Sequence, residues 1–160
     1  MANRIDMLSA VARPIAPIDY VLAASPAYLE QHGAPQTIAD LQAYRCLSFG
    51  TTGAPTNWQF ARGEERDSVK VTGAMCANSS PALRLAMLRG GGIALLPTYV
   101  VGADIRRGDA VAVLPEWAPV GAFGDRLYAV YLENRFLPPK VRVFIDYLVE
   151  KIGEHPEWDA

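Results

Sequence analysis

Between residues 69 and 96 the chain spells out one supersecondary unit, and that unit narrows the choice of fold more than any other stretch. An alternating run that begins at Val69 reads as a strand. Asn78-Ser79-Ser80-Pro81 follows it, small polar residues with a proline where the first helical turn tolerates one. Leu83, Ala86 and Met87 keep helical spacing until Gly90-Gly91-Gly92 breaks it. Ile93-Ala94-Leu95-Leu96 is an unbroken apolar run stopped by Pro97, the pattern of a buried strand. Strand, helix, strand implies a parallel pair joined by a crossover.

The remaining elements alternate in the same manner. Residues 1–17 show little periodicity, and Pro14 and Pro17 interrupt them. Ile18 to Ala24 reads as a short strand. Ser25-Pro26 opens a helix that stops at Gly33, and Thr37-Ile38-Ala39-Asp40 forms a capping box for a second short helix through Tyr44. Cys46 to Phe49 is a strand, Gly50 to Asn57 a loop, and residues 58–72 a hairpin that turns at Arg62 to Asp67. Thr98 caps a helix ending at Gly108. Ala110 to Leu114 and Leu127 to Leu132 are strands. A helix from Pro139 to about Ile152 places Val141, Phe144, Ile145, Leu148 and Ile152 on one face. The fold class is therefore α/β. Leu83, Leu95 and Phe144 are expected in its core.

Composition excludes several classes. The 160 residues amount to about one domain. With 51% hydrophobic and 20% charged residues, disorder is excluded as the overall state. The net charge is −2, and the basic residues are scattered, so no footprint for nucleic acid exists. The longest purely apolar run, Leu127 to Leu132, is far short of the roughly 20 residues of a membrane span. No signal peptide is visible at Met1, so the expected compartment is the cytoplasm. Cys46 and Cys76 make no disulfide framework and read as reduced, buried thiols.

The residues offer little for catalysis. His32 and His155 have no Cys or His at ligand spacing, so no metal site is expected. No Gly-x-Ser-x-Gly, Gly-x-Gly-x-x-Gly or Walker loop is present. Glu64-Glu65 reads as a solvated turn. No cofactor and no catalytic residues are expected. Binding groups do stand out. Asn78 and Ser79 lie where a strand passes into a helix whose first amides attract an anion. Gly50, Thr51 and Thr52 form a polar loop at another strand end, where open α/β sheets hold ligands. These segments are expected to line one wall of a pocket. Thr, Ser and Asn suit a small carboxylate, while Phe49, Trp58 and Phe60 suit either an aromatic ligand or the core.

Tyr20-Val21-Leu22-Ala23-Ala24-Ser25-Pro26-Ala27-Tyr28-Leu29, with His32-Gly33-Ala34-Pro35, Asp40-Leu41 and Arg45-Cys46-Leu47, resembles the effector-binding domain of LysR-type transcriptional regulators. Trp58-Gln59-Phe60, Gly92 to Pro97, Leu114 to Trp117 and Leu137 to Asp146 extend the likeness. It runs from about Arg13 to Leu148.

The resemblance implies a periplasmic-binding-protein-like (type 2) fold of two lobes with a small effector between them. By it, residues 1–24 are a first-lobe remnant and crossover strand, 25–124 a complete second lobe, and 125–160 the return strand and C-terminal helix of a truncated first lobe. The candidate effector-binding residues are Ser25, Gly50, Thr51, Thr52, Asn78, Ser79 and Pro97. Regulators of this family bind DNA through a helix-turn-helix with no counterpart here, so this chain is not expected to bind an operator itself. Self-association is expected, since the truncated lobe exposes Leu127 to Leu132 and the helix 139–152. Two readings from other classes stand beside this one: a free-standing solute-binding protein of the same fold, and a small α/β enzyme.

Overall fold

The computed structural model describes residues 10–120, 124–132, 138–153 and 156. In chain order the elements are β1 (Ala10–Pro17), β2 (Tyr20–Ala24), α1 (Pro26–His32), a 3₁₀ turn (Ala39–Ala43), β3 (Cys46–Phe49), β4 (Thr56–Arg62) and β5 (Glu65–Val71). There follow β6 (Gly73–Ala77), α2 (Ser80–Leu88), β7 (Ile93–Pro97), α3 (Thr98–Arg107), β8 (Val111–Val113), β9 (Ala118–Val120), β10 (Arg126–Leu132) and α4 (Pro139–Ile152). The chain divides into two compact units, one holding residues up to Ile18 and from Gly124 onward, the other beginning at Asp19.

The larger unit is built on a five-stranded sheet in the order β6-β3-β7-β2-β8. β3 pairs parallel with both β6 and β7, whereas β2 runs antiparallel to β7 and β8. β2 was expected to close the segment before residue 25, but its pairing on both sides makes it an interior strand of this unit.

Both faces of the sheet are covered, which explains the continuous burial of β7. Ile93, Leu95, Leu22 and Cys46 point to one face, where Trp58 and Phe60 of β4, Val69 and Val71 of β5, and Ile38 and Leu41 of the 3₁₀ turn pack on them. Ala94, Leu96, Ala23 and Leu47 point to the other, under Leu83 and Met87 of α2 and Val101 of α3. β4, β5 and β9 form a separate antiparallel sheet in which Trp58 and Phe60 are buried and Gln59 between them is exposed.

The expected single strand from Val69 is two. β5 ends at Val71, and β6 begins at Gly73 in a different sheet. Thr37 and Asp40 form the reciprocal cap: the Asp40 amide donates to Thr37 Oγ1 at 3.3 Å and the Thr37 amide to Asp40 Oδ2 at 2.9 Å. The turn they open is 3₁₀. Gly92 has φ +144°, and a Cβ there would lie 2.1 Å from the Arg45 carbonyl oxygen. Only glycine admits this approach, which carries the Ile93 amide to within 2.8 Å of that same oxygen and seats β7 beside β3.

Helices α2 and α3 are tied by charge. Asp104, its side chain 1% exposed, accepts from Arg84 of α2, and Arg107 Nη2 donates to it at 2.5 Å. The Arg84 hydrogen bond, then the charges of Arg84 and Arg107, hold the Asp104 carboxyl below the usual carboxylate range against the opposing effect of burial.

The smaller unit pairs β1 with β10 antiparallel, with a register shift between Pro14 and Ala16. Prolines hid β1 from the pattern reading: Pro14 lacks a ladder N–H, and among the described residues the strand pairs with β10 alone. Arg13 Nη1 of β1 donates to Asp146 Oδ1 of α4 at 2.5 Å. On α4, Ile145 is buried, but Phe144 is 60% exposed, which corrects its assignment to the core. Phe144 shares an exposed face with Val143 and Tyr147.

Two outcomes follow for stability. In urea melts, Leu83→Ala and Leu95→Ala each cost about 2–5 kcal/mol, while Phe144→Ala changes stability by no more than about 0.5 kcal/mol. Asp104 has a depressed folded pKa, so its contribution is complete above the unfolded carboxylate value near 4 and fades as pH falls toward the folded value. Asp104→Asn lowers stability at pH 7, and its melting temperature then depends less steeply on pH below about 4 than that of the parent chain.

Candidate functional site

Because β2 runs against its neighbours, its first residue lies at the same edge of the sheet as the last residues of β3 and β7. Tyr20 pairs with Pro97 across that edge. Phe49 ends β3, Ser80 opens α2 directly after β6, and Tyr99 sits in the first turn of α3. These residues and Leu95 line a cavity of about 160 Å³. Two larger hollows lie elsewhere on the same unit. One of about 380 Å³ rests against the β4–β5 hairpin, where Arg66 is engaged by the Gly63 and Glu65 carbonyls. One of about 250 Å³ runs along edge strand β8. Neither gathers the ends of several parallel strands, where open α/β sheets hold ligands.

Local interactions set the shape of this edge. Ser79 is extended and caps α2, its Oγ accepting from the Ala82 amide at 3.4 Å. The Gly50 amide donates to the Ala77 carbonyl at 3.0 Å, and the Cys76 thiol donates to the Thr52 carbonyl at 3.0 Å. A side chain at residue 50 would crowd the Cys76 sulfur at 3.2 Å, so glycine permits this close approach. Thr98 was expected to cap α3. Instead its amide and its Oγ1 both donate to the Asp19 carbonyl, at 2.9 and 3.2 Å. This link fixes the spacing of Tyr20 and Tyr99, the neighbours of the two bonded residues.

The residues nominated from sequence separate into two groups. The Gly50 amide and the Thr52 carbonyl are tied to Ala77 and Cys76, the residues just before Asn78, but none of Gly50, Thr51, Thr52, Asn78 and Ser79 is among the residues that line the cavity. Pro97 lines the cavity. Ser25 stands apart: it lies at the far end of β2, is 3% exposed, and its Oγ accepts from the Tyr28 amide at 3.3 Å as the cap of α1. Trp58 and Phe60 are core. Tyr20 and Tyr99 were not nominated. The signal for them was their position, one residue past a crossover and two past a strand-ending proline.

None of the six lining side chains carries a charge. Burial, and secondarily Tyr99, raises the Tyr20 phenol above its ordinary value, so it stays a neutral hydroxyl. Cys46 is buried, its thiol pushed up to about 12 by burial, and it donates to the Leu41 carbonyl. Cys76 is half-buried rather than buried. His32 stacks on Tyr28 with ring centroids 4.3 Å apart, away from the cavity. His155 lies outside the described residues, and among those described no cluster of His, Cys, Asp and Glu could hold a metal.

A small uncharged hollow at the strand ends of an α/β sheet lies where open sheets of this kind hold ligands. Comparison with known proteins gives the family. The model of the LysR substrate binding domain matches residues 2–153, and the chain belongs to that family. It is 37% identical over 141 residues to the probable HTH-type transcriptional regulator LtrA of Klebsiella pneumoniae, covering 88% of this chain and 45% of that protein. It is 36% identical over 139 residues to the HTH-type transcriptional regulator PtxR of Pseudomonas aeruginosa, covering 85% and 43%. The chain thus spans less than half the length of these relatives. Among solved structures it resembles the CrgA regulatory domain from Neisseria meningitidis, with TM-score 0.79, 30% identity and coverage of 92% of this chain and 72% of that one. Full-length AphB of Vibrio cholerae matches with TM-score 0.74 and 27% identity, covering 92% and 49%. The fold is that of LysR regulatory domains, periplasmic-binding-protein-like of type 2. LysR substrate-binding domains bind small-molecule effectors, and LysR regulators oligomerise. No helix among the described residues is long and apolar enough to cross a membrane.

Proposed function

We propose that this chain senses a small-molecule effector for a LysR-type transcriptional regulator and has no catalytic role. The observation that carries the reading is the cavity between Tyr20, Phe49, Ser80, Leu95, Pro97 and Tyr99, formed where several strand ends of a LysR-family sheet meet. We infer that Gly50, Thr51, Thr52, Asn78 and Ser79, which do not line the cavity itself, form a polar rim beside it; the ties of Gly50 and Thr52 to Ala77 and Cys76 support this. Ser25 is left out, since its hydroxyl already caps α1. The larger unit is the second lobe, with its boundaries at the crossovers near residues 18 and 124 in place of 25 and 124; the pairing of β2 within the sheet supports this.

DNA contact belongs to the part of such a regulator that this chain does not match, and the working compartment is the cytoplasm. The chain associates with copies of itself, and the exposed Val130, Val143, Phe144 and Tyr147 support that assignment. An effector acts by binding one conformational state more tightly than another, and can shift the balance by no more than that difference in affinity.

The test is a titration of the isotope-labelled chain with a panel of aliphatic and aromatic acids and their neutral analogues, followed by amide chemical shifts. At least one compound moves the resonances of Phe49 to Thr52, Ser79, Ser80 and Tyr99 in a saturable way. Saturable shifts confined to the β4–β5 hairpin or to β8, or none with any compound, contradict the reading.

A further inference from the structure

Three partly exposed aromatic rings, those of Tyr20, Phe49 and Tyr99, gather around one cavity, whereas Trp58 and Phe60 of the same unit are fully buried. Phe49 is 38% and Tyr99 51% exposed. Leu95 and Pro97 complete an apolar wall, and Ser80 is its one small hydroxyl-bearing residue. The volume of about 160 Å³ matches the roughly 150 Å³ of an apolar cavity that takes up benzene. Aromatic rings attract one another edge-to-face or offset-stacked beyond what their buried area contributes, and this geometry suits a planar guest among three rings. A carboxylate would find no cationic side chain among the six that line the cavity, so the ring and not a charge carries the recognition.

We propose that the cavity selects an effector carrying a single aryl ring, with Tyr99 as the specificity-determining side chain and Ser80 facing the ring's polar substituent. The proposal rests on the reading of this cavity as the effector site. Tyr99 contributes through its ring face more than through its hydroxyl, because aromatic attraction is a property of the ring. Phe49, across the cavity, contributes in the same way. The neutral Tyr20 phenol adds a polar atom without adding charge.

The experiment titrates the full chain with benzoate and phenol as aryl probes, and with succinate and hexanoate as open-chain probes, by amide chemical shift and calorimetry. The expected result is that an aryl probe saturates shifts at Phe49, Ser80 and Tyr99 and binds at least about tenfold more tightly than either open-chain probe. Tyr99→Ala weakens it by about tenfold, Tyr99→Phe by less than about threefold, and Phe49→Leu supplies an independent loss should Tyr99→Ala perturb the fold. If succinate or hexanoate moves the same resonances and the aryl probes do not, the aryl class is overturned while the site remains the effector site. If aryl binding survives both Tyr99→Ala and Phe49→Leu unchanged, the proposal is overturned. If no probe moves these resonances, the proposal and the reading beneath it fall together.

Discussion

Between β7 and β8 the sheet of the larger unit is bridged by β2, and the order of the structure depends on that antiparallel insertion. Leu22, Ala23 and Ala24 are buried on alternate faces, so each core layer holds a residue of β2. The reversed direction has a second consequence. A parallel strand in that place would bring its last residue to the edge that holds the cavity, whereas β2 brings its first, Tyr20, and sends Ser25 to the opposite edge. One choice of strand direction thus shapes both the core and the candidate site.

The frame around the cavity is braced from two sides. Asp104 joins α2 to α3 through Arg84, and the first turns of those helices hold Ser80 and Tyr99 respectively. Thr98 holds the Asp19 carbonyl and thereby sets Tyr20 relative to Tyr99. Buried ion pairs are weak sources of net stability, but removing one partner is costly because the other is stranded. Their use here is geometric: they keep two helix starts at a set distance across a small hollow.

Much of this was legible in the chain. Cys46 to Phe49 and Pro139 to Ile152 were read with the bounds they have, because a short, mostly apolar run before a Gly-rich loop and a 3.6-residue period opened by proline and closed by Gly153 are strong signals. β1 and β9 were not read, since Pro14, Pro17 and Pro119 argue locally against strands and only pairing with one neighbour at a sheet edge admits them. The break between β5 and β6 was also hidden: alternation continues past Val71, and only the three-dimensional arrangement moves Gly73 into another sheet. Phe144 fits the helical stripe yet is exposed, because a stripe marks a face and not what covers it. At the site, the loop at Gly50 and the helix start at Ser79 were visible as turn and cap chemistry, while Tyr20 and Tyr99 became visible only once the direction of β2 was known.

Native-state amide exchange tests the role of β2 most directly. If β2 is integral to the sheet, its amides and those of β7 exchange through the same global opening, with equal free energies and equal dependence on denaturant. Exchange of β2 through a separate, cheaper opening that leaves β7 protected would contradict the account, for the sheet would then hold together without the strand said to complete it.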